Sequence, residues 1–186
     1  MRIVAGRHRG RKLIAPAGRD VRPTSDRVRE AVFNILEHGL TWHGFEGARV
    51  ADIFCGTGAL ALEALSRGAA HAILVDDNAE ALAAARHNVE ALDESANVTI
   101  LRNDATRPMP HPKEPVDLAF LDPPYRSEAE RPALVALNDT GWLSPDAICV
   151  VELAEADLFS PPTGFQIVDE RRWGDTRVYF LRCPAA

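Results

Sequence analysis

The tetrapeptide Asp122-Pro123-Pro124-Tyr125 has the chemistry to hold an amine. Its two successive prolines fix the backbone and remove two N–H donors, so the Asp122 carboxylate and nearby carbonyl oxygens offer acceptors to one place. An exocyclic base amine is a poor nucleophile because its lone pair is delocalised into the ring. Hydrogen bonds from its N–H groups to Asp122 and to the Pro123 carbonyl would draw it towards tetrahedral geometry, with the lone pair facing a methyl-sulfonium. Tyr125 would stack on the base and hold it in line, which is positioning rather than acid–base chemistry. The alternative is a merely rigid Pro-Pro turn, and the company the tetrapeptide keeps argues against it.

That company begins with Asp52-Ile53-Phe54-Cys55-Gly56-Thr57-Gly58, which reads as the end of a strand running into a helix. Glycines at 56 and 58 let the backbone turn tightly and approach a ligand, and Asp52 and Phe54 belong to the same candidate cofactor site. Gly56-x-Gly58-x-x-Ala61 also matches the dinucleotide fingerprint, so the loop alone does not separate cofactors. Asp76 ends the next strand about 20 residues on, where a carboxylate can accept both ribose hydroxyls of an adenosine, with Asp77 beside it. Asp104, followed by Ala105, can receive an adenine amino group or cap its own turn.

These groups need a frame. Apolar periodicity predicts strands at 48–54, 72–76, 98–102, 116–121 and 147–153, helices at 58–67, 78–92 and 128–138, and a closing antiparallel pair at 164–170 and 176–182. Strands alternating with helices imply an α/β, mostly parallel, doubly wound seven-stranded sheet, with ligands outside the carboxyl ends of its strands. Ahead of it, 2–5 and 11–15 read as a small β-hairpin around a glycine-bounded turn. After a loop to Pro23, Thr24 can cap a helix with Asp26 in its first turn and Val28, Ala31, Val32, Ile35 and Leu36 on one face. The expected division is a basic extension over 1–23 and a catalytic domain over 24–186.

With 186 residues, 46% hydrophobic and 26% charged, the chain has the composition of an ordinary folded domain. No apolar stretch approaches the roughly 20 residues of a spanning helix, and no signal-peptide core follows the N-terminus, so a cytoplasmic protein without membrane contact is expected. Three scattered cysteines fit reduced structural thiols, and no metal is expected. The net charge of −6 conceals an asymmetry. Residues 1–30 carry nine Lys or Arg against three acids, leaving twelve against twenty-four for the rest. A solvated terminus is one reading; contact with nucleic-acid phosphates suits the arginines better.

The motifs at 52–58, Asp76, Asp104 and 122–125 together resemble class I methyltransferases that modify base amines. Arg2-Ile3-Val4-Ala5-Gly6, Gly10-Arg11-Lys12-Leu13, Arg22-Pro23-Thr24 and Arg27-Val28-Arg29-Glu30-Ala31-Val32-Phe33-Asn34 look like the RsmD family, and the similarity covers the whole chain. The resemblance implies a Rossmann-like class I fold and transfer from S-adenosylmethionine, leaving S-adenosylhomocysteine. It also implies guanine N2 at position 966 of 16S ribosomal RNA as acceptor, in the small subunit or an assembly intermediate; a monomer is expected. It puts Arg22 and Thr24 near the cofactor or target base, and Arg7, Arg9, Arg11, Lys12 and Arg27 on the RNA. Cys55 and Thr57 replace the family's commoner alanine and serine, and Asp76 its commoner glutamate. Three alternatives stand beside this reading: a DNA adenine-N6 or other base-amine methyltransferase, an NAD-dependent oxidoreductase, and a non-catalytic RNA-binding assembly factor. The first would need more chain for reading sequence, the second lacks a hydride-handling group, and the third would not keep an intact pocket.

Overall fold

A computed structural model describes residues 1–15, 26–124 and 127–183. Its elements are α1 (Asp26–His38), β1 (Arg49–Ile53), α2 (Ala59–Ser66), β2 (His71–Asp76), α3 (Ala79–Ala91), β3 (Val98–Arg102), β4 (Val116–Leu121), α4 (Glu130–Asp139), β5 (Leu143–Ala154), β6 (Gln166–Trp173) and β7 (Thr176–Arg182). All seven strands form one sheet in the order β3-β2-β1-β4-β5-β7-β6. The first five in that order are parallel, and β7 runs antiparallel between β5 and β6. The expected architecture is therefore present.

Alternation along the central strands feeds two cores, because successive side chains point to opposite faces. Val50, Leu118 and Phe120 pack with α2 and α3 on one face, whereas Ala51, Ile53, Ala119 and Leu121 pack with α4 on the other. Phe33 fastens α1 to the first face: fully buried, it lies 5.3 Å from Phe45 and 5.4 Å from Phe120, centroid to centroid. Burying such a ring stabilises the fold by about 1.5–3 kcal/mol. Cys55, Cys149 and Cys183 are free and buried, and burial raises the pKa of all three thiols.

Local differences from the sequence reading have physical causes. The N-terminal segment makes a single bridge, Arg2 with Lys12, instead of two strands. The two arms still pair as a hairpin, Ile3 N–H with the Arg11 carbonyl and Leu13 N–H with the Met1 carbonyl, while other backbone groups reach outward: the Val4 and Ala5 N–H groups donate to the Glu63 carboxylate at 2.7 and 3.0 Å, and Arg7 N–H donates to the Ser66 carbonyl. Ile3 and Leu13 enter the same core as α2 and α3. In α1 the buried face includes Arg29 and Phe33 in place of a purely aliphatic stripe. Glu128 adopts φ +52°, so α4 begins later than 128. β5 begins earlier than 147 because a bulge opposite Val116 and Leu118 accommodates Pro145 and the left-handed Asp146.

Candidate active site

The strand order reverses between β1 and β4, and the crevice outside the carboxyl ends at such a point is where doubly wound sheets bind ligands. Ile53 pairs with Val75 on one side and Leu121 on the other. The glycine loop thus lies between the end of β2, with Asp76, and the end of β4, with Asp122. Asp76 in turn pairs with Arg102, which brings Asp104 to the same edge.

Each carboxylate on this edge has a distinct local task. Asp52 is buried in β1 and its Oδ2 accepts Ala61 N–H at 3.0 Å. It thereby caps α2, whose N-cap residue Gly58 has no side chain to do so. Burial pushes the Asp52 carboxyl up to about 8, against the Ala61 hydrogen bond and with help from the Asp76 charge. Asp76 latches the loop onto β2: Oδ2 accepts Gly56 N–H and Oδ1 accepts Asn78 N–H, both at 2.9 Å. Each oxygen keeps a further lone-pair direction for a ribose hydroxyl. Asn78 itself caps α3, accepting from Glu80 and Ala81. Exposed Asp77 carries its carbonyl against Arg102 Nε at 3.1 Å.

The loop needs its unusual backbone. Phe54, Gly56 and Gly58 have φ of +63°, +53° and +75°. A Cβ on Gly58 would sit 2.6 Å from Leu74 Cδ2, whereas one on Gly56 would point into open space. That open side, with the paired acceptors of Asp76 beside it, fits an adenosyl cofactor. Asp104 spends Oδ1 on its own turn, accepting Thr106 Oγ1 at 2.6 Å and Thr106 N–H at 3.0 Å. These bonds hold its carboxyl below the ordinary range. Ala105 is buried in the second core.

Just after β4, Asp122 is half-buried, Pro123 buried and Pro124 exposed. Asp122 N–H donates to the Ile53 carbonyl at 3.4 Å, tying the turn to β1, and the Pro124 carbonyl accepts Ser127 N–H at 3.1 Å. Tyr125, Arg22 and Thr24 lie outside the described residues.

The basic segment is partly committed to the protein itself. Arg7 and His8 both reach buried Glu94, at 2.5 Å, and Arg11 donates to the Ala91 carbonyl. Burial pushes the Glu94 carboxyl up, but hydrogen bonds from Asn97, His8 and Arg7 outweigh it and hold it low. Arg9, Lys12 and Arg27 are exposed. Arg9 and Arg27 share a cavity of about 410 Å³ with Arg2, Asp26 and Glu30. Sequence reasoning missed the residues that hold this segment, Glu63, Asn88 and Glu94. The signal of Glu63 and Asn88 was a polar side chain set among apolar helical positions, whereas Glu94, in the turn after α3, gave none. Among the described residues no cluster suits a metal ion, and no helix is long and apolar enough to cross a membrane.

Sheet order, glycine loop and strand-end carboxylates define a class I methyltransferase fold. The solved structure of yhhF from Escherichia coli, described as a candidate methyltransferase, superposes with a TM-score of 0.85 at 32% identity, covering 100% of this chain and 99% of that one. Ribosomal RNA small subunit methyltransferase D of Escherichia coli (strain K12) is 36% identical over 152 residues, 82% of this chain and 74% of that protein. YlbH of Bacillus subtilis (strain 168), described as a candidate rRNA methyltransferase, is 35% identical over 156 residues, 82% of each chain. Residues 1–182 match the family described as conserved hypothetical protein 95. The chain belongs to that family, the RsmD family.

Proposed function

We propose that this protein methylates ribosomal RNA of the small subunit, transferring the methyl group of S-adenosylmethionine to the exocyclic N2 amine of a guanine. The observation that carries the reading is the placement of the glycine loop between Asp76 and Asp122 on one edge of the sheet. Strands lie about 4.8 Å apart, so β2 and β4 stand roughly 10 Å apart. That distance suits a nucleoside on one side and a target amine on the other. The names of the related proteins above support ribosomal RNA as the substrate class. The proposed enzyme is cytoplasmic, where its RNA substrate is found, and acts as a monomer.

In this reading Asp76 and Asp77 hold the ribose, and the turn at Asp104 and Ala105 lines the adenine. The Gly56–Gly58 loop admits the cofactor's chain beside Asp52 and Phe54. Bound S-adenosylmethionine supplies an electrophilic methyl on a cationic sulfur, already a good leaving group. Asp122 and the Pro123 carbonyl accept the two N–H hydrogens of the amine. Transfer would join the methyl carbon to the nitrogen and leave S-adenosylhomocysteine, and Asp122 or water would take the one amine proton released. Pro123 and Pro124 keep the turn rigid, and Tyr125 stacks on the guanine. Exposed Arg9, Lys12 and Arg27, with Arg22, meet RNA phosphates, whereas Arg7 and Arg11 serve mainly to dock the segment that carries them.

The deciding experiment transfers labelled methyl to small ribosomal subunits lacking their own base methylation, followed by nucleoside analysis. N2-methylguanosine at one site is the expected result. Transfer to DNA instead, or to another base atom, overturns the substrate assignment while keeping the chemistry.

A further inference from the structure

Asn88 sits in the middle of α3, only 1% exposed, and uses its whole amide. Its Oδ1 accepts Ile14 N–H at 2.8 Å, and its Nδ2 donates at 3.0 Å to both the Ile14 carbonyl and the Thr57 carbonyl. The side chain therefore pairs with the N-terminal segment as a neighbouring strand would. With the same nitrogen it grips the loop between Gly56 and Gly58. A second contact runs alongside, since Thr57 Oγ1 lies 3.9 Å from Met1 Sδ. The other anchors of the segment, Glu63, Ser66 and Glu94, hold it to α2 and to the end of α3 without touching the loop.

We propose that Asn88 is a positioning residue that ties the RNA-contacting segment to the cofactor loop, so that cofactor and RNA each bind more tightly when the other is in place. The inference rests on the ribosomal RNA reading above. Two carbonyls held by one buried nitrogen cannot shift independently. Either one moving away leaves a buried polar group unpaired, which is costly. A cofactor that fixes the glycine loop thereby fixes Thr57, Asn88 and Ile14. The ordering cost of this shared element falls on whichever ligand binds first, and the second is spared it. Linkage requires the same factor in both directions.

The test uses the full chain, S-adenosylhomocysteine and undermethylated small ribosomal subunits. Each dissociation constant is measured with and without the other ligand. The expected result is one common tightening factor of at least about fivefold, the low end of ordinary coupling, which drops to one in Asn88→Ala. A merely structural Asn88 would weaken both ligands and leave their ratio intact, and that result, or a factor of one in the wild type, overturns the proposal. The wild-type measurement decides even if the variant does not fold. Hydrogen exchange needs no RNA: S-adenosylhomocysteine should slow the Ile3 and Leu13 amides in the wild type and not in Asn88→Ala, and no slowing in the wild type overturns the tie. Subunits that bind yet accept no methyl count against the substrate reading alone, so the two failures are distinguishable.

Discussion

Along β1, β2 and β3 the carboxylates at the sheet's edge have backbone partners before any ligand arrives: Asp52 receives Ala61, Asp76 receives Gly56 and Asn78, and Asp104 receives Thr106. Beyond β4 the turn owes its shape to covalent constraint, two pyrrolidine rings in succession, with one backbone tie back to β1. The half proposed to hold the cofactor is thus shaped by hydrogen bonds to the backbone, and the half proposed to hold the amine by proline rings that take donors away. Loss of a carboxylate on the first half should disturb binding and folding. On the second half it should disturb the reaction.

The largest expected effect tests that division. Asp122→Ala should slow single-turnover methyl transfer by about 10²–10³-fold, the scale for losing one preorganised polar group. Its affinity for S-adenosylhomocysteine by calorimetry should hold within about threefold; a large loss of affinity would merge the two halves. Asp76→Ala should do the reverse, weakening the cofactor about 10–100-fold through lost charged hydrogen bonds and a released loop, with transfer at saturating cofactor much less affected. Gly58→Ala should destabilise the fold by about 1–3 kcal/mol in denaturant unfolding, because its φ is left-handed and its Cβ would press on Leu74.

Asp52 gives the most diagnostic effect, because it appears only as the pH is changed. Its folded pKa is raised from 3.8 to about 8, so the folded state holds this proton more tightly than the unfolded state does. The resulting stabilisation is fully present below about pH 4 and is lost as pH rises towards 8. Asp52→Asn stays neutral throughout, so its stability relative to the wild type should climb across that window. A pH-independent difference would mean that folding leaves the Asp52 pKa unchanged, and would overturn the effect of its burial.

Much of this comparison was legible in the chain. Strand-end acids at fixed distances from an apolar run announce both themselves and their edge, because a parallel sheet aligns its carboxyl ends. What they bond to was less legible. Asp76 reads from spacing as a ribose acceptor, yet it also latches a loop 20 residues earlier. The N-terminal segment reads as a hairpin because its own residues alternate. Its arms do pair, through Ile3 with Arg11 and Leu13 with Met1, but further backbone groups bond to Glu63, nearly 60 residues away, and to Asn88, 74 away, and local periodicity carries no trace of such partners. Arg29 is buried for the same reason: it meets Asp26 nearby, but also the distant Glu63 and the Arg2 carbonyl.

The three buried thiols have a practical consequence. Burial keeps Cys55, Cys149 and Cys183 protonated at neutral pH, and it is the thiolate that attacks maleimides. The folded protein should therefore be nearly silent to such reagents, and unfolding should expose all three. One cysteine introduced at an exposed position such as Lys12 would then take a fluorophore selectively, with the native thiols left in place.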